Sequence, residues 1–288
     1  EEFKQRYLNQ PYGDVWLELR PLAYEKHPYK WATIGKDISH IENATMGDVK
    51  SFFKKYYNPS NAILCISGNF DNSIIREQVE TYFGEIPGGL KPARINPQEP
   101  KQEECKSKSI DRDVPANAFY YAVNMGPRKS SDYYLGDIMS DAVGKDSSSI
   151  LNITLKKELD LVTEISAFIT GSLDDGLFII SGKLAEGISF EELDKQLWLE
   201  LDKIKQTGVE TEKLIGIKNK ISTAKAFQEQ GLLNRSINLS FFELLGDSNG
   251  INEEPLIYQK IETNDLILFA KNTFVKTNCS LLKVCNNA

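Results

Sequence analysis

Histidine is the scarcest reactive residue in this 288-residue chain. There are two, His27 and His40, thirteen positions apart, and neither belongs to a His-x-x-Glu-His or His-Glu-x-x-His motif. No two-histidine zinc platform can therefore be built from this sequence. Cysteine is nearly as sparse. Cys65, Cys105, Cys279 and Cys285 contain no Cys-x-x-Cys pair, so the spacing excludes a zinc ribbon or a dithiol redox motif. Positive charge is not in excess: 34 Lys and Arg stand against 41 Asp and Glu, a net −7, which argues against binding a nucleic-acid backbone. No apolar run approaches the roughly 18 residues of a membrane-spanning helix. There is no Gly-x-Ser-x-Gly elbow, and a serine nucleophile would lack a nominated histidine base. The chain begins at Glu1 without Met or a basic-then-apolar leader, so either a targeting segment has been removed or the start of the protein lies upstream.

What is present is a globular composition, 41% hydrophobic and 26% charged, long enough for two domains at roughly 100–200 residues each. Residues 1–25 read as helical on either side of a break at Pro11-Tyr12-Gly13. Thr45 reads as an N-cap, and Val49, Phe52, Phe53, Tyr56 and Tyr57 follow at helical spacing until Asn58-Pro59. Ala62–Ile66 reads as a short buried strand, with Cys65 acting as a small hydrophobe within it. Asp71 caps another helix, whose inner face is Ile75, Val79, Tyr82 and Phe83, and which stops at Gly84. Four of the eleven prolines then fall within 86–104 beside Gly88-Gly89, the composition of an interdomain linker.

Beyond it, strands are expected near 105–113 and 117–125 and helices near 131–143 and 147–158. A hairpin follows over 162–170 and 176–184, turning at Asp174-Asp175-Gly176. Ser189 and Glu192 form a capping box for a helix ending at Gly208. A long helix from about 211, another from Thr263 and a strand near 279–285 complete the pattern. Strands and helices mix without strict alternation, which favours α+β over a doubly wound sheet.

Few residues nominate chemistry on their own. His27 and His40 read as loop residues satisfied by backbone or water. Gly144–Ser149 reads as a helix-capping loop rather than a phosphate cradle. Asp174-Asp175 reads as turn residues rather than an acid/base couple.

Several stretches in combination carry more. They are Gln10-Pro11-Tyr12-Gly13; His27-Pro28-Tyr29 leading to Ile34-Gly35; Phe52–Ala62 with Tyr57-Asn58-Pro59-Ser60-Asn61-Ala62; Ile66-Ser67-Gly68-Asn69-Phe70-Asp71; and Tyr82-Phe83-Gly84-Glu85-Ile86-Pro87. In this order the chain resembles the insulinase/pitrilysin (M16) family of inverzincin zinc metallopeptidases, which includes the mitochondrial processing peptidase. Gly144–Leu155, Gly171–Ala185 and the helix from Ser189 extend the resemblance over essentially the whole sequence.

The resemblance implies two similar two-layer α/β sandwich domains of the metallopeptidase half-shell type, the first one truncated. Residues 1–87 would be the C-terminal part of the first, zinc-bearing domain, 88–104 the linker and 105–288 the entire second domain. In the family, paired half-shells enclose a chamber where unfolded peptides are cut by a zinc-bound water, with the motif glutamate as general base. The segment bearing His-x-x-Glu-His has no counterpart here. The family's third zinc ligand maps onto Glu2, through the spacing to Pro11-Tyr12-Gly13. The substrate-positioning Arg and Tyr of the second domain map onto Lys156 and Thr163, a degenerate pair without guanidinium fork or phenol.

The implied protein is thus a portion of a zinc metalloendopeptidase, with zinc in the intact parent and none expected in this chain alone. Its expected partners are a second half-shell and an unfolded peptide, with no nucleic acid and no membrane span. A non-catalytic structural or partner subunit of the same fold is the alternative, and an unrelated α+β binding module a further one. Export to a bacterial periplasm is a lean taken from relatives only.

Overall fold

The elements form where capping and periodicity place them. The computed structural model describes residues 1–94 and 97–287. In chain order the principal elements are helices α1 (Val15–Ala23), α2 (Met46–Tyr56) and α3 (Asn72–Phe83), strands β1 (Lys106–Arg112) and β2 (Ala118–Met125), and helix α4 (Ser131–Ser140). Then come β3 (Val162–Ile169), β4 (Gly176–Leu184), α5 (Phe190–Thr207), α6 (Thr211–Gln228), α7 (Leu232–Leu245), α8 (Gly250–Lys260), α9 (Thr263–Thr273) and β5 (Cys279–Asn286).

The caps follow the expectations. Thr45 and Asp48 form a reciprocal box at the start of α2. Asp71 accepts from the Ser73 and Ile74 N–H groups before α3, and Ser189 Oγ accepts from Glu192 N at 3.1 Å before α5. Helices α7 and α8 escape the sequence reading, although Leu232, Leu233, Ile237 and Phe241 repeat at helical spacing and Gly246 ends α7 at φ +114°.

The chain divides into two compact units made of discontinuous stretches. The larger comprises 1–36, 96–219 and 258–288, and the smaller 37–95 and 220–257. The division expected from the sequence runs along the chain instead, at 87 and 104. The expected linker includes Ile95 and Asn96, which lie outside the described residues, as does Ala288.

The larger unit is built on one mixed sheet of five strands, ordered β1-β5-β2-β4-β3, in which β1 and β5 run parallel and the other neighbours antiparallel. The α+β expectation holds. Helix α1 covers one face, where Val15, Leu19 and Ala23 meet Ile110, Ala122, Ile179 and Leu282. Burying a leucine such as Leu19 fully contributes about 1.5–3 kcal/mol. Arg112 of β1 fixes the helix by donating to Asp14 at 2.7 Å and Glu18 at 3.3 Å. Successive strand residues alternate faces, so Phe178 points the other way and stacks edge-on with Phe274, 5.0 Å between centroids, beneath α9. With both faces covered, Leu177–Ile180 are all buried.

A close approach shapes the edge of this sheet. After α4 the backbone turns through Asp141–Lys145, and a Cβ at Gly144 would lie 2.5 Å from the Ala167 amide nitrogen of β3. The Gly144–Ser149 loop therefore serves packing and capping: Asp146 accepts from Ser148 N at 3.0 Å and Ser149 N donates to the Asp146 carbonyl.

The smaller unit corrects two expectations. Ala62–Ile66 is extended, yet it pairs with no strand among the described residues, and Ile63, Leu64 and Ile66 are exposed. Cys65, expected inside a buried strand, is only partly covered. A single extended segment leaves its ladder groups open unless another strand lies beside it, so apolar composition alone does not make a buried strand. The presumed inner face of α3 is likewise open: Tyr82 is 75% exposed and Phe83 51%. No residue from Asp37 to Arg94 is buried.

Candidate functional site

Each residue nominated from the sequence has a definite place. Glu2 sits on the exposed first turn of the chain, its Oε1 3.0 Å from Arg6 Nη2 one turn later. Such an exposed pair contributes little to stability. Lys156 lies in the helical turn Asn152–Glu158 and Thr163 at a register shift near the start of edge strand β3; both are exposed. No hydrogen bond joins them among the described residues.

His27 is where the surroundings depart from expectation. It is 4% exposed, and beyond the Tyr29 backbone its ring faces the Asp174 carboxylate. Nδ1 accepts from the Tyr29 N–H at 3.2 Å, and Nε2 lies 3.4 Å from Asp174 Oδ2 at the β3–β4 turn. The Tyr29 and His27 rings meet edge-on at 4.2 Å. Tyr24 donates to the Asp175 carbonyl at 3.0 Å, and burial drives its phenol pKa well above the usual value. Asp174-Asp175 thus serves as turn and anchor together.

Glu99 completes this cluster. Its carboxylate accepts from the Lys26 N–H at 3.0 Å, the His27 N–H at 2.8 Å and also the Glu25 N–H. Partial burial raises its pKa, but the three backbone donors outweigh that and hold it below the usual carboxylate range. Burial raises the Asp175 carboxyl instead, with the Asp174 charge second. A cleft of about 300 Å³ opens beside these groups, lined by Tyr24, Glu99, Met125, Asp132, Asp175 and Asn278. Nothing in the sequence pattern points to Glu99, because its donors lie more than seventy residues away.

These residues do not compose a zinc centre. No group of three His, Cys, Asp or Glu side chains is placed to hold a metal among the described residues. Glu2 is one carboxylate engaged with Arg6, and His27 faces Asp174. A catalytic zinc needs three protein donors, a set that these two residues do not make up. Nor does the His27 cluster supply a nucleophile; it holds the 24–31 loop against the β3–β4 turn.

The comparisons agree with the architecture. The chain is 25% identical over 285 residues to the zinc protease PqqE of Helicobacter pylori, covering 96% of this chain and 63% of that protein. It is 20% identical over 268 residues to the uncharacterized zinc protease YmxG of Bacillus subtilis, covering 93% and 61%. It therefore spans less than two thirds of the length of these curated relatives. A crystal structure of a protease from Helicobacter pylori superposes with a TM-score of 0.89 at 23% identity, over 99% of this chain and 69% of that one. Among the described residues, no helix is long and apolar enough to cross a membrane. The family model for the peptidase M16 inactive domain matches residues 43–221, well over half the sequence, and the chain belongs to that family.

Proposed function

We propose that this chain is a portion of a zinc-dependent metalloendopeptidase that cuts peptides in a chamber between two half-shells, and that it is not catalytically competent alone. The observation that carries the reading is the open apolar surface of the smaller unit. Helices α2 and α3 have the caps and stripes of core helices, yet Phe52, Phe53, Tyr57 and Tyr82 are more than half exposed. Between these helices in the chain lies the extended Ala62–Ile66, unpaired among the described residues. Two such helices flanking a strand-like segment are half of an α/β layer. The occupant we assign to that surface is the rest of a β-sheet, drawn from the third or more of the relatives' length that this chain does not span. On this reading residues 1–87 belong to the zinc-bearing domain and 105–288 form the second domain.

Zinc enters through the names of the relatives, both called zinc proteases. In the intact protein Glu2 would be the third ligand, exchanging Arg6 for the metal. The histidine ligands and the general base would come from outside this sequence. Lys156 and Thr163 then mark a half-shell that leaves substrate positioning to its partner.

Three measurements test this. The 288-residue chain, supplied with zinc and an unfolded peptide, is expected to show no hydrolysis above background; cleavage abolished by a chelator would overturn the lack of competence. The coding sequence upstream of Glu1 is expected to contain His-x-x-Glu-His, and an intact upstream domain without it would favour the non-catalytic subunit. In the longer protein, Glu2→Gln is expected to lower zinc content severalfold, and unchanged content would refute the ligand assignment.

A further inference from the structure

Two cysteines that the sequence separates by 174 positions meet at the start of a strand pair. In the parallel ladder of β1 and β5, Lys106 stands opposite Ser280. One step back along both strands brings Cys105 opposite Cys279. Neighbouring strands lie about 4.7–4.9 Å apart, inside the Cα separation of roughly 4.4–6.8 Å that a disulfide spans. Gln102 pins the approach. Its Nε2 donates to the Cys279 carbonyl at 2.7 Å and to the Glu104 carbonyl at 2.9 Å, while its Oε1 accepts from Ser280 Oγ at 3.2 Å.

The two thiols differ as an attacking and a resolving thiol should. Cys105 is exposed and Cys279 is fully buried. The neighbouring Cys279 thiol is the main reason the Cys105 pKa falls to about 7, with Lys276 adding to it, while Cys105 Sγ lies 3.8 Å from the Lys106 carbonyl oxygen. The proximity of Cys105, followed by burial, pushes the Cys279 thiol up. The opposing charge facing the pair is Asp194. It is already engaged by Tyr121 Oη at 3.1 Å, Trp198 Nε1 at 3.0 Å and Lys276 Nζ at 3.2 Å, which blunts its repulsion of a thiolate. The other cysteines are elsewhere: Cys285 is six residues along β5, opposite Asp111, and Cys65 is in the smaller unit.

We propose that Cys105 and Cys279 form a reversible dithiol–disulfide site whose oxidant is a small-molecule disulfide. The Cys105 thiolate attacks one sulfur of the oxidant, forming a mixed disulfide and releasing one thiolate. Cys279 then loses its proton and attacks Cys105 Sγ, closing the intramolecular bond and releasing the second thiolate. Two protein thiols and one disulfide become one protein disulfide and two small thiols, so electrons and protons balance. The bond would join the strand that follows residues 97–104 to the final strand of the sheet. The Cys-x-x-Cys criterion misses such a site because its spacing comes from strand register rather than from sequence.

The test uses the 288-residue chain carrying Cys65→Ser and Cys285→Ser, treated with oxidised glutathione at pH 8. Mass spectrometry of unreduced peptides is expected to show a Cys105–Cys279 cross-link, with both free thiols lost to maleimide labelling and restored by dithiothreitol. Added Cys279→Ala should trap a glutathione adduct on Cys105. Added Cys105→Ser, at an exposed position that folding tolerates, should leave Cys279 unmodified and carries the test if the alanine variant does not fold. In the unsubstituted chain at pH 7, Cys105 should be alkylated about tenfold faster than Cys285, whose thiol is raised by burial. Two labelled thiols persisting after oxidation of folded protein, or a stable adduct on Cys105 with Cys279 still free beside it, would overturn the proposal.

Discussion

The larger and smaller units contain helices of equal quality and cores of very unequal completeness. In the larger, α1 and α5 turn Leu19, Leu193, Leu197 and Leu201 inward to 1% exposure or less. In the smaller, α2 is just as well capped, yet its Phe52 and Phe53 are 58% and 59% exposed, and among residues 220–257 only Phe242 and Glu254 are buried. The difference is the sheet. A helical stripe is a promise of burial that only a second layer can keep, and most helical stability comes from that packing rather than from caps or propensity.

The largest consequence should appear in hydrogen exchange on the 288-residue chain. Amides of β2, β4 and β5 are expected to exchange only through global opening, while those of α2 and α3 exchange orders of magnitude faster. Equal protection in both units would break the contrast, because it would mean that the exposed stripes are covered in solution. Substitution should follow the same divide. Phe178→Ala, in the interior of β4, is expected to destabilise the larger unit by about 3–5 kcal/mol in urea unfolding. Phe52→Ser should stay within about 0.5 kcal/mol and reduce self-association. A large loss from Phe52→Ser would show that α2 has a partner surface after all. Next in size is Gly182→Ala. Its Cβ would overlap the Glu164 carbonyl across the β3–β4 pair and crowd the Phe119 ring, so a loss of about 1–3 kcal/mol is expected from the same unfolding curves. A neutral Gly182→Ala would show that edge strand β3 is free to move away.

Much of this was legible in the residues because it is local. Thr45 with Asp48, Asp71, Ser189 and the Asp174-Asp175-Gly176 turn act within a few positions of themselves, and the helices and hairpin fall where those signals put them. The M16 resemblance was legible for the same reason, being carried by short ordered motifs. What stayed hidden depends on partners far away in sequence. Burial of Ala62–Ile66 requires a neighbouring strand that periodicity cannot guarantee. The grip of Glu99 on the 25–27 backbone and the meeting of Cys105 with Cys279 arise from chain crossings that no local pattern encodes. For Glu2, Lys156 and Thr163 the sequence supplied correspondence to a family motif, and under the proposed function chemistry at those positions would draw on groups from outside this chain.

The smallest expected effect separates the two kinds of carboxylate. Asp48 and Asp71 of the smaller unit are lowered first by side-chain hydrogen bonds to Thr45 and Ser73, their immediate neighbours, and are fully exposed. Glu99 of the larger unit holds a loop more than seventy residues away in sequence. Because its folded pKa lies below the ordinary 4.5, its ionisation adds stability above that value, and the contribution fades as pH falls through the folded pKa. Glu99→Gln should therefore lower the melting temperature at pH 7 by only ~2 °C, since most of the group is open to solvent and screened. The gap from the unsubstituted chain should close as the solution is acidified below about pH 4. The same removal of charge at Asp48 or Asp71 should loosen only the first turn of its own helix, visible as faster amide exchange there without a shift in the main transition. A Glu99→Gln gap that persists unchanged well below pH 4 would assign its role to shape and hydrogen bonding rather than to charge.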